Sequence, residues 1–371
     1  MKRIVYGAPT PTEEMVAAVS EVIRSGWWGA GDLCEQLEGM LRAVTRAPYA
    51  VSVSSGSAAL HSILMGAGVG LGDEVVTTPI TYAATAHAIG LAGARPIFAE
   101  IDPVTGNLDP KAAEAAIRPR TAAILAVHLY GRPFDPRLIE ICSRKHILLI
   151  EDAAHAVGAS TGGMMAGSMG DAAAFSFNYQ KNVAAAEAGA LTTRHAHISA
   201  AARQFAHNGE KNTTWERYKG KLEPSIVSLG TNYRPNDISA AMTLDGFSRF
   251  SEIQANRERI WKAYDRHLEA VPVVPPARVP PGMIHARHIY NVRVPVDRME
   301  VQRKLSAAGI GSGIHYKPVH LEPYYREKYG HKGGELPFAE AFGKSTLSLP
   351  MSPSLTDQDV ERVALELSKS I

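Results

Sequence analysis

Lys181 stands in Phe175-Ser176-Phe177-Asn178-Tyr179-Gln180-Lys181-Asn182, just past an apolar run with strand character. Upstream, His146-Ile147-Leu148-Leu149-Ile150 is a second apolar run, and it ends in Glu151-Asp152-Ala153-Ala154-His155. A carboxylate at a strand end, followed 29 positions later by a lysine, suggests pyridoxal 5′-phosphate (PLP) chemistry. The lysine would hold the aldehyde as a Schiff base. The aspartate would keep the ring nitrogen protonated, so that the ring can accept electrons.

Other residues can serve the same chemistry, and each has a plainer reading beside it. Ser54-Ser55-Gly56-Ser57-Ala58-Ala59 joins a strand to a helix start. Free backbone N–H groups at such a point bind phosphate and the helix dipole favours the anion, but serine is also an ordinary N-cap. Tyr82 follows a strand and can stack on a flat ring or simply pack. Asp152 can be a helix cap, and His155 can meet a phenolic oxygen or satisfy a backbone group. Alternation places Ser176 opposite Phe175 and Phe177, where its hydroxyl can reach a phosphate. Most lysines are solvated surface charges. Lys181, however, precedes the small, uncharged Asn182-Val183-Ala184-Ala185-Ala186, and a lysine shielded from water loses its charge readily. Asn232, in Gly230-Thr231-Asn232-Tyr233-Arg234, fits a structural turn. His315 and His320 flank a loop with no third ligand at useful spacing, so contact with a substrate is a better reading than a metal site.

These residues need a scaffold that brings strand ends together. Residues 10–48 read as helical with a break at Ser25 to Gly31. Strand-like runs at Tyr49 to Val53, Asp73 to Thr78, Arg95 to Glu100 and Ala122 to His128 then alternate with helical segments at Gly56, Tyr82 to Ala92 and Asp109 to Ile117. Such alternation predicts an α/β domain with a mostly parallel sheet and helices on both faces. Gly68-Val69-Gly70-Leu71-Gly72-Asp73 precedes a strand, whereas a dinucleotide loop follows one. The pattern changes near residue 240. One long helix is expected over Ala240 to Ala270, then a proline-rich stretch from Val271 to Pro281. A strand (His288 to Val294), a helix (Met299 to Ala308), a loop and a final helix (Thr356 to Ser368) complete a smaller α+β domain. The expected division is 1–240 and 241–371.

The chain has 371 residues, 45% of them apolar, and a formal charge of +2 from 39 basic and 37 acidic side chains. That balance offers no electrostatic case for nucleic acid or an anionic membrane. Two cysteines cannot build a disulfide framework or an all-cysteine iron–sulfur cluster. The N-terminal residues show no apolar signal region, and no uncharged stretch reaches the ~18 residues of a membrane helix, so a cytoplasmic location is expected.

In this order the segments resemble the fold-type I PLP enzymes and, more narrowly, the DegT–DnrJ–StrS family of nucleotide-sugar aminotransferases. The resemblance runs through Ser25-Gly26-Trp27, Ser55-Gly56-Ser57-Ala58-Ala59-Leu60-His61, Gly72-Asp73-Glu74-Val75 and Val127-His128-Leu129-Tyr130-Gly131. It continues through Ile150 to His155, Phe175-Ser176-Phe177 with Lys181-Asn182, Asn232-Tyr233-Arg234, His315-Tyr316 with His320-Leu321, and Leu347-Ser348-Leu349-Pro350. It implies that Lys181 binds the cofactor and shuttles the proton, that Asp152 meets the pyridine nitrogen, that Tyr82 stacks on the ring and that His155 lies beside the ring oxygen. Gly56, Ser57, Ala58 and Ser176 would hold the phosphate. Asn232 would reach the phosphate of a neighbouring subunit, which implies a homodimer with shared sites. Trp27, His315, Tyr316 and His320 would line the sugar site.

The departures are local. Ala186-Glu187-Ala188-Gly189 stands where the family usually has Gly-Glu-Gly-Gly, and alanine would be strained if those positions need φ > 0. Ser57 stands where threonine is common and keeps the hydroxyl. Lys181 argues against the dehydratase branch, which has histidine there. The resemblance thus implies a transaminase that moves an amino group, with L-glutamate the expected donor, to a keto sugar, nucleotide-linked and of the 4-keto-6-deoxy type. The alternatives are a PLP-dependent lyase or cyclase, motivated by the two alanines, and a PLP-holding regulatory protein without turnover.

Overall fold

A computed structural model describes residues 3–220 and 223–371. Its central sheet uses β1 (Tyr49–Val53), β2 (Glu74–Thr77), β3 (Arg95–Phe98), β4 (Thr121–Val127) and β5 (Leu148–Asp152). A small sheet follows with β6 (Ser160–Thr161) and β7 (Met164–Met165), and the central sheet then gains β8 (Ala172–Ser176) and β9 (Gly189–Thr193). The order is β1-β9-β8-β5-β4-β2-β3. Only β9 runs against its two neighbours; β8, β5, β4, β2 and β3 are mutually parallel. This is the mixed, mostly parallel sheet of a fold-type I PLP transferase, with helices packed on both faces.

The strands are buried almost throughout, as parallel strands covered by helices must be. Leu149 and Ile150 of β5 are nearly inaccessible, and burial of each is worth about 1.5–3 kcal/mol. Glu151 is fully buried beneath Asp152. Its carboxylate accepts from His128 Nε2 at 2.8 Å and from the N–H groups of Gly167 (2.8 Å) and Gly170 (2.7 Å). The Phe134 N–H donates to His128 Nδ1, so His128 is the neutral Nε2–H tautomer. This network anchors the carboxyl end of β5, and with it Asp152.

The expected helix over Ala240 to Ala270 is two helices, Asp237–Ser248 and Phe250–His267, broken at Arg249 (φ −101°, ψ 12°). The break has a packing cause. Ala240 and Phe247 join the core under the central sheet, whereas Ile260, Trp261 and Tyr264 join a second core, and one straight helix cannot face both. The first of these helices straddles the expected division at 240, and Ile4 also belongs to the second core. The strand expected over His288 to Val294 is β11 (Tyr290–Arg293), after the short β10 (Met283–Ile284); it pairs antiparallel with β12 (Thr346–Leu349). The loop expected before the last helix contains two further helices, Pro323–Tyr329 and Pro337–Ser345. Proline at the first turn of each starts a helix where it reads as a breaker. The last helix, Asp357–Ser370, begins at a capping box between Thr356 and Asp359. Among the described residues no helix is long and apolar enough to cross a membrane.

Candidate active site

The carboxyl ends of β5 and β8 open on a cavity of about 510 Å³. Asp152 closes β5 and is 6% exposed. Its Oδ2 accepts from Thr85 Oγ1 at 2.7 Å and its Oδ1 from the Ala154 N–H at 3.1 Å. Because the Thr85 hydroxyl spends its proton on Asp152, Thr81 donates to Thr85, also at 2.7 Å. Lys181 lies half-buried on the same wall, in the turn after β8 where its N–H donates to Asn178 O. Burial lowers its pKa to about 8, against the opposing pull of Asp152 and Glu187. A substantial fraction is therefore free amine in mildly basic solution.

The helix Gly56–Gly66 starts on the opposite wall. Ser55 caps it by accepting from the Ala58 N–H at 3.1 Å, which leaves the N–H groups of Gly56 and Ser57 without a partner inside the helix. Two glycines permit this approach. A Cβ on Gly56 would lie 2.8 Å from Ser176 Cβ, and one on Gly189 would lie 2.2 Å from the Ser55 carbonyl carbon. Ser57 and Ser176 both line the cavity beside the helix start.

Tyr82 precedes the helix Ala83–Leu91 and is 65% exposed, an aromatic face open to the cavity. Its ring centroid lies 6.3 Å from that of Tyr316, whose hydroxyl is 3.2 Å from His155 Nε2. His155 Nδ1 is buried with no partner among the described residues. Burial, then Lys181 and His315, push the His155 pKa well below the usual histidine value, so the ring is neutral. His315 is stacked on Tyr6 (5.4 Å), its Nδ1 lies 2.9 Å from Ser348 Oγ, and burial then Lys181 lower its pKa to about 4.

Of the residues singled out in the sequence, the structure gathers Gly56, Ser57, Tyr82, Asp152, His155, Ser176, Lys181, His315 and Tyr316 around this cavity. Ala58 is buried behind the wall. Trp27 lines a separate cavity with Trp215 and Tyr218. Asn232 is exposed and bridges the backbone of His207. His320 is fully buried against Phe98 and lies 3.3 Å from Glu340. Sequence reasoning missed Thr85, Asn182, His288, Tyr6 and Arg257. Thr85 sits one helical turn after Thr81, which is the only local signal it carries. Ala186 and Ala188 both lack a positive φ, so alanine is unstrained at these positions.

The residues fit PLP on their own terms. The wall holds an amine of depressed basicity, a carboxylate fixed by two donors, a helix start beside two serines, and a buried imidazole nitrogen still without a partner. Fold and site together define a PLP transferase of fold-type I. Residues 9–368 match the DegT/DnrJ/EryC1/StrS aminotransferase family, and the chain belongs to it. It is 36% identical over 367 residues to the spore coat polysaccharide biosynthesis protein SpsC of Bacillus subtilis, with 96% of this chain and 94% of that protein covered. Spr1654 of Streptococcus pneumoniae, solved in its PLP form, superposes with a TM-score of 0.93 at 28% identity, covering 100% of this chain and 98% of that one. DesI, solved in the presence of its TDP-sugar product, superposes with a TM-score of 0.88 at 31% identity, covering 100% and 93%. The protein is a PLP-dependent aminotransferase.

Proposed function

We propose that the protein moves the amino group of L-glutamate to the keto carbon of a nucleotide-linked sugar, with a 4-keto-6-deoxy sugar as acceptor. The observation that carries this reading is Lys181, brought to a pKa of about 8 within the cavity that also holds Asp152. The DesI complex with a TDP-sugar and the likeness to SpsC support a sugar acceptor.

PLP supplies an aldehyde that takes up the amino group and a ring that withdraws electrons from the reacting carbon. The chain's own residues do the rest. Asp152, oriented by Thr85 and Ala154, would hold the proton of the ring nitrogen. Gly56, Ser57 and Ser176 would seat the phosphate, and Tyr82 would cover one face of the ring. Lys181 Nζ would give up its place to the donor and then move the proton at the reacting carbon, a task suited to a pKa near the working pH. His315 and Tyr316 would meet the sugar. Asn232 would complete the site of a second copy. Exposed Ile226, Val227 and Leu229 support that contact, because they leave an apolar run beside Asn232 for another chain to cover.

The test follows two half-reactions on purified protein. L-glutamate should bleach the visible band of the bound cofactor and release 2-oxoglutarate. A TDP-linked 4-keto-6-deoxyhexose should then restore the band and yield an amino sugar. Bleaching with no acceptor among keto sugars would leave a transaminase and overturn the sugar assignment.

A further inference from the structure

Behind the cofactor wall stands a histidine that no step above uses. His288 is 7% exposed and lines the cavity, and its ring lies 4.5 Å from that of His155. Its Nδ1 is 3.0 Å from Asn182 Oδ1. The orientation of that amide is settled, because Asn182 Nδ2 donates to Ala286 O at 2.6 Å and to Gln254 Oε1 at 3.3 Å. Asn182 Oδ1 is therefore an acceptor, and His288 carries its proton on Nδ1. Burial, then the neighbouring His155, Lys181 and Arg257, hold the ring neutral. The remaining nitrogen, Nε2, bears a lone pair. It has no hydrogen-bond partner among the described residues, and it is not among the buried polar atoms cut off from solvent. A neutral, tautomer-locked imidazole that lines a substrate cavity can only accept a hydrogen bond there.

We infer that His288 Nε2 accepts a hydrogen bond from a hydroxyl of the carbonyl substrate, which makes His288 a specificity-determining residue for the acceptor half-reaction. The inference rests on the reading of that substrate as a sugar, since a sugar presents hydroxyls beside its keto carbon. L-glutamate has no hydroxyl of this kind, so the two half-reactions should depend on His288 unequally. Arg257, which donates to the carbonyls of Arg287 and His288, fixes the backbone that presents the ring.

The test compares His288→Phe, which keeps the ring and removes both nitrogens, with His288→Gln, which returns an oxygen acceptor near the position of Nε2. Both half-reactions are followed by cofactor absorbance, with L-glutamate and with the TDP-linked 4-keto-6-deoxyhexose. A TDP-sugar product titrated onto the PLP form gives binding without turnover. For His288→Phe, kcat/KM of the acceptor half-reaction should fall about tenfold further than that of the donor half-reaction, as expected for one lost hydrogen bond. Product affinity should weaken in step, and His288→Gln should recover most of the loss. Equal losses in both half-reactions, or a His288→Gln no better than His288→Phe, would overturn the inference. The sugar reading fails separately, when the unaltered protein aminates no keto sugar.

Discussion

Gly189→Ala places a methyl group where the structure has no room for one. The new Cβ would stand 2.2 Å from the Ser55 carbonyl carbon, 2.3 Å from its oxygen and 2.6 Å from the Gly56 nitrogen. All three are backbone atoms at the start of the helix Gly56–Gly66, so no side-chain rotation relieves the clash. Carbon atoms rest about 3.5–4.0 Å apart, so β9 and the helix start must separate by about 1.3–1.8 Å. The fold absorbs this as overpacking, at about 1–3 kcal/mol. The proposed phosphate seat is affected more, because a displacement of about 1 Å or more in positioned groups costs about 100-fold. The expected result is a folded protein whose Kd for PLP, measured by absorbance titration of apoprotein, rises between about tenfold and 100-fold. Gly39→Ala is the control. It lies in the helix Asp32–Thr45, where a Cβ meets nothing closer than Arg42 Nη2 at 3.7 Å, and it should leave the Kd unchanged. A Gly189→Ala protein that folds and binds PLP within threefold of the parent would refute the assignment of the phosphate to this helix start.

Three further outcomes are expected. Thr85→Val keeps the side-chain shape and removes the 2.7 Å donor to Asp152; loss of a hydrogen bond to a charged group, worth about 1.5–3 kcal/mol, should weaken PLP binding by at least tenfold, and an unchanged affinity would show that Asp152 needs no such support. The rate at which apoprotein captures PLP should rise with pH and level off above about 8, because the amine is the nucleophile and the Lys181 pKa is lowered from 10.5 to about 8; a rise that continues toward pH 10 would contradict the burial effect. Ala186→Gly with Ala188→Gly should lower the melting temperature, since neither alanine has a positive φ to relieve and glycine only adds freedom to the unfolded chain; a higher melting temperature would mean that the alanines are strained.

Much of the candidate site was legible because its signals are local. A strand-end acid, a serine–glycine turn before a helix and a lysine after a strand each lie within a few residues, and the strand periodicity placed them at one sheet edge. What was not legible depends on distant packing. Thr85 matters only because its helix points at β5, and Asn182 gains its role from Ala286 and His288, far along the chain. The break at Arg249 was hidden because no proline interrupts the helical run, and only the two cores show that its halves pack in different directions. Proline obscured the helices Pro323–Tyr329 and Pro337–Ser345, since it opens a helix and ends one with equal ease. Whether Ala186 and Ala188 are strained depended on the sign of φ, which sequence alone does not reveal; neither position has a positive φ.

The central claim is that Lys181 carries the cofactor and yields it to an amino donor. Purified protein treated with borohydride, digested and analysed by mass spectrometry should carry the pyridoxyl phosphate label on the peptide containing Lys181. Incubation with L-glutamate before reduction should remove most of that label. A label on another lysine, or one on Lys181 that no amino donor displaces, would contradict the account.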